Sequence, residues 1–367
     1  MSWWLIGVMS GTSLDGIDLA LTRLHPEHGI DLVGADCLPF PPELRNELQA
    51  LCEPGNDEIR RAGLAGQAWA ELTAKGIHAL LARHQLKSEQ ILAIGSHGQT
   101  IRHHPELGFS VQIGAPALLA ERCRIQVVSD FRSRDLAAGG EGAPLVPAFH
   151  QWLLADPEQA RAVINIGGFA NLTLLRPGHA VTGFDSGPGN ILLDAWIQQH
   201  QDRAYDAEGC WAASGTVHSG LVAQLLADPY FSRAAPKSTG REYFNSLWLE
   251  RQLKNFGQPL PAADVQACLL ELTAHSIANA VTGQVSDCKS VHICGGGAAN
   301  THLLQRLKEL LSPLQVHTTA AVGVDPEWME AMAFAWLAWR CLQGQSGNLP
   351  TVTGAAGPRV LGAVYPG

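Results

Sequence analysis

The segment Gly7-Val8-Met9-Ser10-Gly11-Thr12-Ser13-Leu14-Asp15-Gly16-Ile17-Asp18 crowds glycines and hydroxyls between two apolar runs. Backbone N–H groups at such a hinge converge on an anion, glycine lets a phosphate approach the main chain, and Ser10, Thr12 and Ser13 add donors. A plain hairpin needs only Asp15-Gly16. The surplus leaves a phosphate cradle and a plain turn both open on chemistry alone.

Two further glycine-rich turns follow apolar runs: Asn165-Ile166-Gly167-Gly168-Phe169-Ala170-Asn171, and Cys294-Gly295-Gly296-Gly297-Ala298-Ala299-Asn300. The second precedes a helical pattern of Leu303, Leu304, Leu307, Leu310 and Leu311, which places bare backbone at a helix start where anions dock. One such turn is ordinary strand-to-helix packing; three of them, in both halves of the chain, favour a nucleotide. None of the six lysines follows a glycine, so no Walker loop exists. There is also no G-x-G-x-x-G after the first strand and no H-R-D triplet. P-loop, Rossmann and protein-kinase readings are set aside.

Asp185, in Gly183-Phe184-Asp185-Ser186-Gly187-Pro188-Gly189-Asn190, sits just past an apolar strand and before a helix that Asn190 can cap. Ligand chemistry in α/β sheets gathers at the carboxyl ends of strands, which suits Asp185 as a general base or as a brace of its turn. Glu330 precedes a long apolar run, Ala331 to Trp339, after an Asp325-Pro326 helix start, and a carboxylate there needs a partner or a function. Ser96, His97, Gln99 and Thr100 end a strand and offer the short polar groups that read sugar hydroxyls. His97, His103 and His104 match no familiar metal spacing. In Ser129-Asp130-Phe131-Arg132-Ser133-Arg134-Asp135, either Arg132 or Arg134 is placed to grip a substrate carboxylate or to bridge an aspartate.

These residues need a scaffold. Strands are expected at 3–10, 17–22 and 30–38, a long helix capped by Asn56 or Asp57, a strand at 91–95, a strand at 109–113, a helix at 115–122 and a strand at 125–129. After the glycine-rich stretch 137–147 the pattern restarts with strands at 162–168 and 169–175, then a strand at 180–184, a helix at 191–199, a helix after Asp264, a strand at 291–294 and a last helix from Asp325. Apolar strand, glycine turn, apolar strand opens each half, a weak internal repeat. Two similar α/β halves with a cleft between them are implied.

Lys+Arg 25 against Asp+Glu 34 gives a net charge of −9, which argues against nucleic acid or an anionic membrane held by charge. Eight cysteines without a C-x-x-C pair indicate neither a disulfide framework nor a zinc site. The apolar start lacks a basic flank, and no apolar run approaches the roughly 20 residues of a membrane span, so a soluble cytoplasmic protein is expected.

Met9 to Asp18 resembles the opening of the anhydro-N-acetylmuramic acid kinase family. The resemblance runs on through Ser96-His97-Gly98-Gln99-Thr100, Ser129-Asp130-Phe131-Arg132, Asn165-Ile166-Gly167-Gly168, Phe184 to Asn190, Gly295-Gly296-Gly297-Ala298 and Glu330-Ala331-Met332-Ala333-Phe334. It implies the actin-like, sugar-kinase and Hsp70 superfamily: an α/β fold of two RNase-H-like domains, with ATP, magnesium and substrate in the interdomain cleft. The family hydrolyses the 1,6-anhydro bond of its amino sugar and phosphorylates O6 during cell-wall recycling. Carried over residue by residue, Gly11, Thr12, Ser13, Leu14, Asp15, Gly16, Ile17 and Asp18 form the first phosphate loop. Gly167, Gly168 and Asn171 form the second, with Gly295, Gly296, Gly297 and Asn300 on the adenosine side. Asp185 and Glu330 are the catalytic carboxylates, and Ser96, His97, Gln99, Thr100, Asp130 and Arg132 face the sugar. Met9 or Val8 and Asn165 stand where the broader superfamily carries carboxylates, a departure the narrower family shares, and this leaves the magnesium ligands unassigned. The domains are expected at 1–137, joined by about 340–367, and at 138–339, with a homodimer as the common closed form. The alternatives are an ordinary sugar kinase of this fold or an ATP-driven binding protein.

Overall fold

The computed structural model describes residues 2–11, 14–235, 237–241, 243–284 and 288–367. Its strands, in chain order, are β1 (Trp3–Ser10), β2 (Gly16–His25), β3 (Gly29–Pro39), β4 (Ile91–His104), β5 (Phe109–Ile113), β6 (Val127–Ser129), β7 (Ala160–Ile166), β8 (Phe169–Leu175), β9 (Thr182–Pro188), β10 (Cys288–Cys294), β11 (Gln315–Thr318) and β12 (Ala363–Tyr365). The chain divides into two compact units: Met1–Leu153 with Trp328–Gly367, and Leu154–Glu327.

In the first unit the sheet order is β12-β6-β4-β1-β2-β3, with β5 pairing the far end of β4. β1, β2 and β3 form an antiparallel meander, while β4 and β6 run parallel to β1. In the second the order is β11-β10-β7-β8-β9: β7, β8 and β9 form the meander, and β10 and β11 run parallel to β7. Each unit thus repeats one five-strand RNase-H-like arrangement, third-second-first-fourth-fifth. That identity of order and direction turns the weak sequence repeat into a structural one.

Alternation builds the first core: Ile17, Leu19 and Leu21 on β2 and Ile6 and Val8 on β1 are buried with Trp69, Ile77 and Leu80 from the helix Glu58–Arg83. In the second unit, Ile164, Ile166, Leu172 and Leu174 pack against Leu269, Leu272 and Ile277 of the helix Ala262–Gln284. The helix Met329–Leu342 buries every residue from Met329 to Trp339 except Glu330. It lies so close on its sheet that a Cβ at Gly7 would sit 1.7 Å from the Ala331 carbonyl oxygen, and one at Gly95 2.0 Å from that of Phe334. Only glycine permits that approach.

Several expectations shift. The unit boundaries fall at 153/154 and 327/328 rather than at 137/138 and about 340, because the helix Met329–Leu342 belongs on β1 and β4. β4 runs to His104, since its far end gains β5 as an antiparallel partner, so Ser96 to Thr100 lie within the strand rather than at its end. The β1–β2 connection spans residues 11–15 instead of a two-residue turn. Asp57 and Asn190 occupy helix-start positions without a side-chain cap, and the last helix begins at Met329 while Asp325 caps only the Glu327 N–H at 3.0 Å. Among the described residues no helix is long and apolar enough to cross a membrane.

Candidate functional site

In the first unit the parallel register sets Val8 beside Ser96 and Ser10 beside Gln99. The Ser10 hydroxyl lies 2.5 Å from Gln99 Oε1 and 3.2 Å from the Gly16 carbonyl oxygen, while Gln99 Nε2 donates to the carbonyls of Gly11 and Thr100 at 3.2 Å each. The first end of the β1–β2 connection, at Ser10 and Gly11, is therefore tied to β4 by the buried Gln99 amide, and the Ser10 hydroxyl lies within reach of the Gly16 carbonyl at the other end. Leu14, buried, holds a left-handed φ of 59°, a conformation that surrounding contacts must enforce. Asp15 is exposed, 3.7 Å from Arg45, and Ile17 is core. Thr12 and Ser13 lie outside the described residues.

His97 is buried beside this connection, and its two ring nitrogens are both occupied. Nδ1 lies 2.8 Å from the Gly98 carbonyl and 3.2 Å from that of Ser10; Nε2 lies 2.9 Å from Arg132 Nη2 and 3.0 Å from Gln112 Nε2. Burial first, then the Arg132 charge, pull the imidazole down to about 3, so it is neutral at any working pH. Arg132 also donates through Nη1 to the Gly142 carbonyl at 2.7 Å. Burial lowers the guanidinium to about 10 against the opposing charges of Glu330 and Asp135. Glu330, half-buried on the first turn of its helix, is thus an electrostatic neighbour of Arg132.

Asp135, fully buried, completes the frame. Its Oδ1 accepts from Asn348 Nδ2 at 2.6 Å and Thr353 Oγ1 at 2.8 Å, and its Oδ2 accepts from the Gly142 N–H at 2.8 Å. Gly142 is therefore held by its N–H through Asp135 and by its carbonyl through Arg132. Asp130, with φ 61°, accepts from the Ser133 hydroxyl at 2.5 Å, and Arg134 is exposed. Thr100 is half-buried, 3.2 Å from Gln112 Nε2 through its hydroxyl, while Ser96 is buried with its carbonyl accepting from Ser129 at 2.8 Å.

In the second unit the registers set Cys294, Asn165, Asn171 and Asp185 opposite one another on β10, β7, β8 and β9. Directly opposed residues share a face, so these four form one polar row across the sheet. Asp185 is half-buried and fixed on three sides. Its N–H donates to the Lys237 carbonyl at 3.0 Å, its carbonyl accepts from the Tyr230 hydroxyl at 2.7 Å, and its Oδ2 accepts from the Thr239 N–H at 3.1 Å. Lys237 is lowered by burial and by Arg233, with Asp185 acting in the opposite sense.

The glycine turns divide by what demands them. Gly295, at φ 81°, would place a Cβ 2.3 Å from Asn165 Oδ1, and one at Gly297 would lie 2.3 Å from the Ile166 side chain, so both are required by packing. At Gly167, Gly168 and Gly296 a Cβ would meet nothing nearer than 3.7 Å, 3.9 Å and 4 Å respectively, and none of the three has a positive φ. Neither conformation nor packing within the unit requires glycine at these three positions. Asn300 spends its side chain on the cap of the helix Thr301–Leu310, accepting from the Leu303 N–H at 2.9 Å. Among the described residues no group of three or more His, Cys, Asp and Glu is placed to hold a metal.

Tyr230, Lys237, Thr239, Gln112 and Asp135 were missed by sequence reasoning as site residues. The first three lie some 45 to 55 positions beyond Asp185 in a stretch without periodicity, and no local signal marks them. Gln112, on β5, was reachable only through the β4–β5 hairpin register.

The family model for anhydro-N-acetylmuramic acid kinase matches residues 3–367. Curated relatives of that description include those of Pseudomonas putida, 55% identical and covering 98% of this chain and 99% of theirs, and Pseudomonas fluorescens, 56% identical with the same coverage. The relative from Shewanella loihica is 51% identical over 99% of each chain. Among solved structures, the activator of a 2-hydroxyisocaproyl-CoA dehydratase from Clostridium difficile aligns with a TM-score of 0.47 at 12% identity, covering 92% of this chain and 94% of that one.

Proposed function

The chain belongs to the anhydro-N-acetylmuramic acid kinase family, and from that premise we propose that it uses ATP, with magnesium, to open 1,6-anhydro-N-acetylmuramic acid with water. The products are N-acetylmuramic acid 6-phosphate and ADP, formed in the cytoplasm as a step of peptidoglycan recycling. What supports the nucleotide is the unused room at Gly167, Gly168 and Gly296, on the unit whose polar row ends at Asp185.

Asp185 takes a proton from water. The oxygen of that water bonds to the anomeric carbon and the bond from that carbon to O6 breaks; O6 then bonds to the γ-phosphorus as the bond from that phosphorus to the β-phosphate oxygen breaks and ADP leaves. Its anchoring by Tyr230, Lys237 and Thr239 keeps the carboxylate in place through that transfer. Glu330 steadies positive charge growing on the ring, and Arg132 grips the carboxylate of the lactyl arm. The backbone of the 11–16 and 167–168 turns receives the phosphates. Magnesium, when bound, neutralises phosphate charge; such ions are held by one or two carboxylates and the phosphates themselves, a role half-exposed Asp18 fits.

The test is mass spectrometry of the product formed from the anhydro sugar, ATP and magnesium in oxygen-18 water. The expected product carries one added phosphoryl group and one heavy oxygen at the anomeric carbon. Phosphorylation without the heavy oxygen would assign an ordinary sugar kinase, and ATP hydrolysis with the sugar intact a nucleotide-driven binding protein.

A further inference from the structure

We propose that His97 is a positioning residue: a permanently neutral imidazole whose bare Nε2 aims the Arg132 guanidinium, while its Nδ1–H anchors it to the backbone of β1 and β4. This rests on the reading above that Arg132 grips the substrate carboxylate.

The tautomer follows from the partners. Nδ1 faces two carbonyl oxygens, of Gly98 and Ser10, which can only accept. The ring proton must therefore reside on Nδ1, and Nε2 presents a lone pair. At 2.9 Å and 3.0 Å from that lone pair stand Arg132 Nη2, which has no acceptor capacity, and the Gln112 amide nitrogen. A proton on Nε2 would point at two donors, one of them cationic, in a site that is 3% exposed. The ring cannot swing away, because it packs against Phe334 with centroids 4.8 Å apart. With Nη1 held by Gly142 at 2.7 Å and Nη2 by His97, the plane of the guanidinium is fixed from two sides. Both imidazole nitrogens are thereby spent on the protein, so His97 neither moves a substrate proton nor touches the sugar directly. Its effect on the reaction passes through Arg132.

Three measurements test this. In the intact enzyme labelled with nitrogen-15 histidine, one ring is expected to show a protonated Nδ1 and a bare Nε2, unchanged between about pH 5 and 8. That signal is absent from His97→Gln. In kinetics, His97→Leu removes the acceptor and raises KM for the anhydro sugar by roughly 10- to 100-fold, with KM for ATP within a few-fold of normal. His97→Gln, whose side-chain oxygen reaches the Nε2 position, restores the sugar KM and leaves the pH profile of kcat/KM unmoved. A titrating ring, the opposite tautomer, a glutamine variant as impaired as the leucine one, or a pH limb lost in His97→Gln would each overturn the proposal. Should His97→Leu fail to fold, the spectrum and the glutamine variant still decide. Arg132→Gln serves as control: an unaltered sugar KM there would sink the Arg132 reading by itself, whatever the spectrum of His97 shows.

Discussion

Asn171 stands directly opposite Asp185 on neighbouring antiparallel strands, so amide and carboxylate leave the sheet on one face, with Asn165 next in the row. The Thr239 N–H donates to the carboxylate at 3.1 Å, and Lys237 is its electrostatic neighbour, so the group is held in place at the end of the row. Asp185→Asn keeps the shape and the Thr239 contact but removes the base. Turnover is expected to fall by roughly two to four powers of ten, with nucleotide affinity within a few-fold of normal. Steady-state ADP release and a binding titration check this; near-normal turnover would remove Asp185 from the base role.

The glycine turns offer a paired test. Gly168→Ala meets no atom nearer than 3.9 Å, so melting should stay within about 1 kcal/mol of the parent while ATP affinity drops about tenfold or more, because the added methyl occupies ligand space. Gly95→Ala puts a methyl 2.0 Å from the Phe334 carbonyl oxygen and should cost about 3 kcal/mol or more in urea unfolding. Equal losses of stability in the two variants would contradict the division of glycines drawn above.

Acid should destabilise the fold before carboxylates titrate. Burial, the leading cause at each, holds His97 and His150 at about 3 and His292 at about 4 in the folded chain, against an ordinary value of 6.5. Below 6.5 the unfolded chain binds protons that the folded one refuses, so stability falls as pH drops from 6.5 toward these values. Each ring contributes a slope of up to about 1.4 kcal/mol per pH unit. Urea midpoints measured from pH 7 to pH 5 should fall continuously; a flat profile would show that these rings accept protons in place.

Asp135 is the structural pin of the first unit. Asp135→Ala strands the donors of Asn348, Thr353 and Gly142 in a buried site and should lower stability by about 3 kcal/mol. Asp135→Asn should fare little better, since its NH₂ must face at least one of those donors. Thermal unfolding of both variants decides, and a wild-type melt for Asp135→Asn would mean that the network rearranges.

The meander strands were legible because period-two alternation at 17–22 and the apolar runs at 162–166 and 169–174 depend on near neighbours alone. Asp185 and the open glycines stood out for the same reason, as unusual residues in their local runs, but the strand end expected at Phe184 is not there: β9 continues to Pro188 against β8, so Asp185 lies within the strand. The seat of the helix Met329–Leu342 was not, since it depends on missing Cβ atoms at Gly7 and Gly95, more than 200 positions upstream. Ser96 to Thr100 were read at a strand end because Gly95 and Gly98 break the apolar run, whereas β1 on one side and β5 on the other extend the strand past them. The anchors of Asp185 at Tyr230, Lys237 and Thr239 come from an irregular segment, where only tertiary pairing assigns a partner.

The return of residues 328–342 to β1 and β4 also imposes a schedule on synthesis. While the polypeptide leaves the ribosome, everything the second unit requires has emerged before the helix that closes the first. The sheet of β1 and β4 must wait through more than two hundred residues of elongation, on the order of ten to fifty seconds, with the glycine-floored seat at Gly7 and Gly95 uncovered. The half of the protein that begins first is the half that finishes last, and the nascent chain is most in need of a chaperone during that interval.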